Sequence, residues 1–389
     1  GIRIVMLILA LALIRPNIQM ARERSARLGT VLQQAEVQLL DDIHKASNPG
    51  DYVHTWWDWG TAVWSHAERN VLTHPGNQSP DTFVCAKMLM TGSPRLSAHL
   101  GVASAEYYHH KGGTAVHHLF KDANPNQPPS SMLKLLEEHL PVAPTRDTYL
   151  YLPYRLIQFY SVLESFSERD LIKGESMPRS KWIMCGGYKT DGAQQVILMH
   201  PVNTTVPIFH VDLKTFAMAE LHNPVNAHNI HRSLHRGINP FQKLRFIAFH
   251  LHDNQQQLRL LYAHANSIRS EGDSFVYNGV DGKQGSLKLS AVKSIYPASR
   301  IKRIVTDDPK DPTKKREGQA TDGDFEKPGL SLVILQNPRL VLLADDKAYA
   351  SQLMKLLVLD QPDPKYFERV SANVSGRVFR IQQPTPPDP

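Results

Sequence analysis

Residues 54–64 read HTWWDWGTAVW and hold four of the five tryptophans of the chain, grouped around the carboxylate of Asp58. An indole N–H only donates hydrogen bonds and an ionised carboxylate only accepts them, whereas a hydroxyl group does both. Trp56, Trp57 and Asp58 could therefore bind one hydroxyl group, and a ligand without it would leave them unpaired at about 1 to 3 kcal/mol each. These residue types predict a site that selects serine or threonine in a peptide, with Trp59 and Trp64 as packing support.

Two other interpretations of this stretch stay open on the sequence alone. The tryptophans could form an aromatic core, although a core does not require Asp58, whose burial among indoles is unfavourable unless donors reach it. They could also form a platform on which sugar rings stack, as in a lectin-like module. Neighbouring side chains of a strand point to opposite faces, however, so Trp56 and Trp57 would not form one flat platform.

The elements around the stretch are predicted to present it to a cleft. DYVHTW predicts a short buried strand, and Gly60 is expected to end that strand with a sharp turn. Further along, TRDTYLYLPYRLIQFYSVLESFS predicts a strand followed by a helix that Pro153 opens. Leu156, Phe159 and Leu163 would share one apolar face of this helix.

In this context WWDWG resembles the WWDxG signature of the catalytic subunit of oligosaccharyltransferases. TRDTYLYLPYRLIQFYSVLESFS and the terminal run LSLVILQNPRLVLLADDKAYASQLMKLLVLD, with VFRI after it, are similar to segments of the bacterial enzymes of the PglB type. The similarity spans most of residues 1–185 and 328–382. By this resemblance the chain is identified as the extracytoplasmic C-terminal domain of a bacterial oligosaccharyltransferase.

The resemblance implies an activity and its site residues. These glycosyltransferases move a glycan from a polyprenyl-diphosphate carrier to the asparagine of Asn-x-Ser/Thr. Trp56, Trp57 and Asp58 match the residues that bind the Ser/Thr hydroxyl at the +2 position. A second acceptor contact, usually Met-x-x-Ile, falls on Leu156 and Phe159, and this departure leaves the preference for threonine over serine open.

The resemblance also implies what lies outside the chain. In the family, the catalytic carboxylates and the Mn²⁺ or Mg²⁺ that neutralises the leaving diphosphate belong to loops of the membrane domain. The acidic pairs of this chain fall at predicted helix ends or in a charged loop, so we expect it alone to hold no catalytic residue or metal and to transfer no glycan. These pairs are Asp41-Asp42, Glu137-Glu138, Asp307-Asp308 and Asp345-Asp346.

The expected partners are an acceptor protein with Asn-x-Ser/Thr, the lipid-linked oligosaccharide and the chain's own transmembrane domain. The enzyme would lie in the inner membrane, with this domain on the periplasmic side. The alternative is a periplasmic carbohydrate-binding or interaction module. Nucleic acid is not expected: the net charge of +7 permits an anionic partner, but no basic run is interleaved with aromatic residues.

The predicted fold class is mixed α/β (α+β), with a largely helical core domain that bears the WWDxG motif and a β-rich insertion. The apolar run from Ile4 to Ile14 is about half of the roughly 20 residues that cross a bilayer, which favours residues 1–15 as the end of a truncated transmembrane helix. The core is predicted over 16–180 and 326–383, beginning with a long helix, and the insertion over 181–325. A charged, mobile loop is expected at 306–329 and a disordered tail at 384–389.

Cysteines and histidines give weaker signals. Cys85 and Cys185 fall in neither a metal-binding nor a redox spacing, and a single disulfide between them stays open. His228, His231 and His235 would share one face of a helix, but solvated or core histidines in a loop-rich stretch are favoured over a zinc site.

Overall fold

The computed structural model describes residues 32–77, 80–122, 128–176, 180–190, 196–201, 208–221, 225–251, 259–311, 314–319, 329–336 and 339–382. The predicted membrane segment at 1–15, the predicted long helix as far as residue 31 and the predicted tail at 384–389 lie outside these ranges. Within the ranges, no helix is both long enough and apolar enough to cross a bilayer.

Helices dominate the first part of the described chain, and their ends follow from the sequence. Pro94 occupies the first turn of an 18-residue helix, where the Ser93 side chain accepts the N–H of Leu96. Asp345 caps a later helix as the sequence predicts, by accepting the N–H of Ala348 at 2.9 Å. The helices are α1 (Gln34–Ala46), α2 (Trp57–Ala62), α3 (Thr82–Met90), α4 (Pro94–Lys111), α5 (Pro129–Glu138), α6 (Tyr160–Ser167), α7 (Ala227–His235) and α8 (Asp346–Ala350); π-helical turns follow α2 at Val63–Ala67 and α8 at Leu353–Val358, and a 3₁₀ helix at Tyr154–Phe159 precedes α6.

The strands of the described residues form three sheets. They are β1 (Tyr52–His54), β2 (Thr148–Pro153), β3 (Trp182–Thr190), β4 (Val196–Pro201), β5 (Phe209–Asp212), β6 (Ala217–Glu220), β7 (Phe246–Leu251), β8 (Arg259–His264), β9 (Arg269–Glu271), β10 (Ser274–Asn278), β11 (Gln284–Lys288), β12 (Val292–Asp307), β13 (Lys315–Gln319), β14 (Leu330–Leu335), β15 (Leu340–Ala344), β16 (Phe367–Asn373) and β17 (Gly376–Ile381).

The four-stranded sheet lies within the helical core and runs in the order β1-β2-β17-β16. β1 and β2 are parallel, with Val53 beside Tyr149 and His54 beside Leu150. Every residue of β2 is buried, because α1 and α4 both pack against this sheet. The sheet therefore fixes where the chain leaves β1, two residues before Trp56.

Seven strands of the largest sheet close into a ring. Their order is β14-β15-β3-β4-β5-β6-β12, and the C-terminal half of β12 pairs again with β14. Side chains alternate along β14: Leu332 and Ile334 join an apolar cluster formed by all seven strands, while Val333 and Leu335 join the helical core. β14 and β15 thus attach the ring to the core that carries the tryptophans.

Apart from β13, the remaining strands form a second β unit. The N-terminal half of β12 pairs with β7, which pairs with β8, and β9, β10 and β11 form the third sheet. Apolar side chains of this unit pack with α7 around Phe249 and Phe275. The mixed α/β fold class predicted from the sequence is confirmed.

The prediction of a loop over residues 306–329 is wrong for part of that segment. β12 continues to Asp307, and Lys315–Gln319 pairs with it as β13. A charged segment can still form an edge strand, because such a strand is held by backbone hydrogen bonds and does not need apolar side chains to bury. An ion pair also joins the two strands: the Nζ of Lys315 lies 2.6 Å from the carboxylate of Asp307. The rest of the segment from 320 to 328 lies outside the described ranges.

Candidate functional site

The tryptophan stretch forms a helix rather than the predicted turn. β1 ends at His54, Trp56 is the extended N-cap residue, and α2 begins at Trp57. Gly60 does not end the strand: it lies inside α2, where a Cβ atom would be 2.0 Å from the carbonyl oxygen of Thr73. Glycine often marks a turn, but here its missing side chain lets α2 pack directly against the chain at Thr73.

We expect Gly60→Ala to destabilise the domain by about 2 kcal/mol or more, because the backbone of α2 or of Thr73 must move to relieve the contact. Urea unfolding followed by tryptophan fluorescence measures the change. Gly50→Ala is the matched control, since a Cβ at Gly50 would have nothing within 4 Å, and its unfolding free energy should not fall. Equal losses in the two variants would contradict the close packing at Gly60.

Trp56 is fully buried, and its indole nitrogen has no hydrogen-bond acceptor among the described residues. The ring packs edge-on against Phe166, with centroids 5.5 Å apart and planes at 78°. The indole N–H lowers the pKa of Asp58, although the two groups do not have the geometry of a full hydrogen bond. A buried donor without a partner costs about 1 to 3 kcal/mol, so its retention needs an explanation.

The carboxylate of Asp58 lies at the surface beside the indoles. Asp58 is exposed and Trp57 is half-buried, and both belong to the first turn of α2. Partial burial raises the pKa of Asp58, and its own backbone N–H, the Trp56 indole and the charge of Arg155 oppose that rise. The structure therefore brings the three residues predicted to bind a hydroxyl into one place.

The rings of Trp56 and Trp57 do not form a flat platform. Their centroids are 6.3 Å apart and their planes are tilted by 49°. The sequence also predicts that no platform forms, but because the two residues were expected in a strand. In the structure they lie at the N-terminus of a helix, and the tilt of their rings has the same effect. The geometry does not favour a lectin-like stacking surface at these two indoles.

The second predicted acceptor contact is only partly accessible. Leu156 is fully buried within the 3₁₀ helix, whereas Phe159 at its end is half-buried. Phe159 packs edge-on against Trp59, with ring centroids 6.0 Å apart. Trp59 is itself 5% exposed, in agreement with its predicted packing role. Trp64 is 61% exposed, so the prediction that it supports the packing is wrong. Of the predicted pair, only Phe159 can touch a ligand without rearrangement.

Two residues that the sequence did not indicate support the tryptophans. The guanidinium of Arg155 lies over the ring of Trp59 at 5.5 Å, and its Nη2 is 2.9 Å from the buried carboxylate of Glu36. Phe166 is the ring against which Trp56 packs. Both lie in the segment that the sequence singled out, but the arginine and its glutamate are 119 positions apart, so no local pattern reveals the pair.

Within the described ranges, no group of three or more His, Cys, Asp or Glu side chains could hold a metal ion. Members of the acidic pairs have structural partners instead: Asp41 contacts His66 at 3.0 Å, Asp42 accepts a hydrogen bond from Gln38, Asp307 pairs with Lys315, Asp346 pairs with Lys302, and Asp345 caps α8.

The remaining candidates from the sequence have structural surroundings. His228, His231 and His235 do share a helix, α7, and the Nε2 of His231 lies 2.9 Å from the hydroxyl of Ser270. Cys85 and Cys185 are buried in separate apolar clusters and do not form a disulfide. Burial raises the pKa of these thiols to about 12 and about 11, respectively.

Comparison with known proteins agrees with this architecture. Residues 49–173 match the family model described as the STT3/PglB/AglB core domain. Proteins from two strains of Campylobacter jejuni, each named undecaprenyl-diphosphooligosaccharide–protein glycotransferase, are 26% identical over 156 residues, which are 37% of this chain and 22% of each relative. The crystal structure of the C. jejuni PglB C-terminal domain shares the fold, with a TM-score of 0.50, 16% identity and coverage of 89% of this chain and 99% of that one.

The fold of this chain is the mixed α/β fold of the C. jejuni PglB C-terminal domain. The match to the STT3/PglB/AglB core-domain model covers residues 49–173, and WWDWG lies within that stretch. The resemblance inferred from the sequence is confirmed. The β-rich residues that follow, from 181 onward, lie outside the core-domain match.

Proposed function

We propose that this chain is the acceptor-recognition domain of a membrane oligosaccharyltransferase. The enzyme would transfer a glycan from a polyprenyl-diphosphate-linked donor to the asparagine of Asn-x-Ser/Thr, and Trp56, Trp57 and Asp58 would bind the +2 hydroxyl. One observation carries the proposal: a buried indole N–H without an acceptor lies close to an exposed carboxylate.

A hydroxyl group satisfies this arrangement because it can donate and accept at once. Its proton would go to the carboxylate of Asp58, and its oxygen would accept from the indole N–H groups of Trp56 and Trp57. The indole nitrogen of Trp56 is buried away from solvent. The acceptor peptide must therefore displace a covering side chain before its hydroxyl group can reach this nitrogen. The half-buried Phe159 is the second proposed contact, and it would line the site next to Trp59.

The reaction itself needs groups in addition to those that bind the acceptor hydroxyl. An amide nitrogen is a poor nucleophile, and the leaving diphosphate needs a counter-charge, which a divalent metal supplies. We place the catalytic carboxylates and their Mn²⁺ or Mg²⁺ in a membrane domain outside this chain, with this domain on the periplasmic side of the inner membrane. The chain alone would then bind acceptor but transfer no glycan.

Replacement of Trp56 by 3-benzothienylalanine tests the hydroxyl site directly. This residue keeps the bicyclic ring but exchanges the N–H for sulfur, so packing against Phe166 is retained. We expect the unfolding free energy to stay equal or to rise by about 1 kcal/mol, because an unpaired donor is removed. The affinity of an Asn-Ala-Thr peptide should fall about tenfold, which isothermal calorimetry measures.

Two results would separate function from structure. An Asn-Ala-Ala peptide, which has no hydroxyl, should bind the original and the substituted protein equally weakly. Unchanged affinity for Asn-Ala-Thr after the replacement would refute a role of the Trp56 nitrogen in acceptor binding.

A further inference from the structure

The segment around α7 carries basic side chains and no carboxylate. Residues 221–252 contain four lysines or arginines and six histidines, but neither aspartate nor glutamate. α7 lies in this segment and packs one face on the apolar cluster of the second β unit. His228, Arg232 and Arg236 recur at every fourth position, so they form one row on the exposed face of the helix. This face of the molecule therefore presents basic side chains to solvent.

An exposed isoleucine follows directly after this row. Gly237 adopts φ +74°. Its N–H donates to the carbonyl of Leu234, and the N–H of Ile238 donates to the carbonyl of Ser233. These two bonds form the Schellman motif, in which the apolar residue after the glycine usually packs back on the helix. Ile238 is instead 60% exposed. The end of the helix thus explains the glycine but not the exposure of the isoleucine.

The turn that presents Ile238 is also anchored on its other side. The side chain of Asn239 accepts the N–H of Phe241 at 2.8 Å and donates to the carbonyl of Ala265 at 3.3 Å. Phe241 is 3% exposed and belongs to the apolar cluster of the second β unit. The isoleucine is therefore held at the surface by a turn that is bonded before and after it.

Three cations near this isoleucine in the chain have no ion pair. Arg232, Arg236 and Lys243 are exposed, and none of them lies within 4 Å of a carboxylate of the described residues. Acidic side chains of the same unit lie elsewhere: Asp273 lines a groove at the N-terminal end of α7, and Glu271 contacts an arginine of its own strand. The dipole of α7 favours cations at its C-terminal end, but it does not require an apolar side chain among them.

We infer that this surface binds an anionic lipid bilayer. We call Arg232, Arg236, Ile238 and Lys243 the basic tip. Its cations contact the lipid phosphates, and the isoleucine enters the boundary between headgroups and acyl chains. A bilayer offers negative charge and hydrocarbon together, whereas a soluble polyanion offers the charge alone and leaves the isoleucine exposed. The inference goes beyond the proposed function, because it assigns a role to the second β unit and does not involve the hydroxyl site.

A fluorescent label at position 238 tests this inference in the full chain. Ile238→Cys is labelled with the environment-sensitive dye NBD, and the buried thiols of Cys85 and Cys185 stay unlabelled. With vesicles that contain phosphatidylglycerol, we expect NBD emission to rise at least about threefold and spin-labelled lipids to quench it. Vesicles of phosphatidylcholine alone should give less than about half of this rise. Val374→Cys, at a 62% exposed position between β16 and β17, is the matched control and should show neither effect.

Charge reversal in the labelled protein tests the cations. Arg232→Glu with Arg236→Glu should reduce the NBD response at least about fivefold. The neutral pair Arg232→Gln and Arg236→Gln should give a response between those of the reversed and the original protein. Lys134→Glu with Lys283→Glu changes the net charge by the same amount at exposed positions outside the basic tip and should retain the response. All other parts of the chain are the same in these variants, so their own affinity for lipid does not affect the comparison.

Several results would contradict the inference. An equal response at positions 238 and 374, an equal response to neutral and anionic vesicles, or a response that survives the charge reversal would each overturn it. The same rise with polyphosphate in place of vesicles would also overturn it, because the ligand would then be a soluble polyanion. None of these measurements uses an acceptor peptide. A negative result here therefore leaves the proposed function standing, and a failure of acceptor binding leaves this inference standing.

Discussion

Asp58→Ala should lower kcat/KM for transfer to an Asn-x-Thr peptide by at least about 100-fold, or roughly 2.7 kcal/mol, in the membrane-embedded enzyme to which we assign the chain. The substitution removes the charged acceptor of the +2 hydroxyl and leaves the indole donors without their counterpart. Glycopeptide formation with purified lipid-linked donor measures the effect. The KM for the donor should stay within about twofold, since Asp58 is assigned to the peptide alone.

A matched control and a graded variant make this result specific. Glu68, whose side chain is 71% exposed, lies just beyond the helical stretch that begins at Trp57, and Glu68→Ala should leave transfer unchanged. Asp58→Asn keeps one acceptor oxygen but loses the charge, so its activity should fall between those of Asp58→Ala and the original protein. Activity of Asp58→Ala within a few-fold of the original would exclude the hydroxyl site.

Arg69→Met should reduce the unfolding free energy by about 3 kcal/mol or more. Arg69 is 4% exposed, and its guanidinium donates five hydrogen bonds but meets no carboxylate of the described residues. Its acceptors lie at the C-terminal ends of α1 and of the π-helical turn that follows α2, where carbonyl groups lack helical partners. The arginine thus joins the first helix to the element that carries the tryptophans. The acceptors are the hydroxyl and carbonyl of Ser47 and the carbonyls of His44, Ala67 and Glu68.

Urea unfolding at low and high salt checks this assignment. The loss should be nearly independent of salt, because Arg69 bonds to carbonyl groups rather than to an opposite charge. Arg69→Lys keeps the charge and some donors and should recover part of the loss, whereas Arg232→Met, at an exposed position of α7, should change stability by less than about 0.5 kcal/mol. Equal effects at the buried and the exposed arginine would show that the network contributes nothing.

The sequence predicted most of the local structure of the helical core. The strand predicted in DYVHTW is seen as β1, and the strand followed by a helix predicted further along is seen as β2, the 3₁₀ helix and α6. These predictions rest on periodicity and on single residues such as Pro153 and Asp345, which act over a few positions of the chain. The prediction of a turn at Gly60 is wrong, because the contact that requires glycine there is made with Thr73, on another part of the chain.

The candidate site also has residues that the sequence identifies and supporting residues that only the tertiary structure reveals. Trp56, Trp57 and Asp58 could be singled out from donor and acceptor counts, since those are properties of the side chains themselves. Their support could not: Arg155 reaches Glu36 across the fold, and Phe166 meets Trp56 only because α6 packs beside the start of α2.

What the sequence by itself determined is therefore chemistry and local form: which groups donate, which accept, and where helices begin. Only the tertiary structure decided which of those groups remain unsatisfied. Whether the Trp56 N–H finds an acceptor depends on which parts of the chain pack around it. Hydrogen bonds and ion pairs require contact within a few ångströms, and chain order alone does not specify such contact between distant residues.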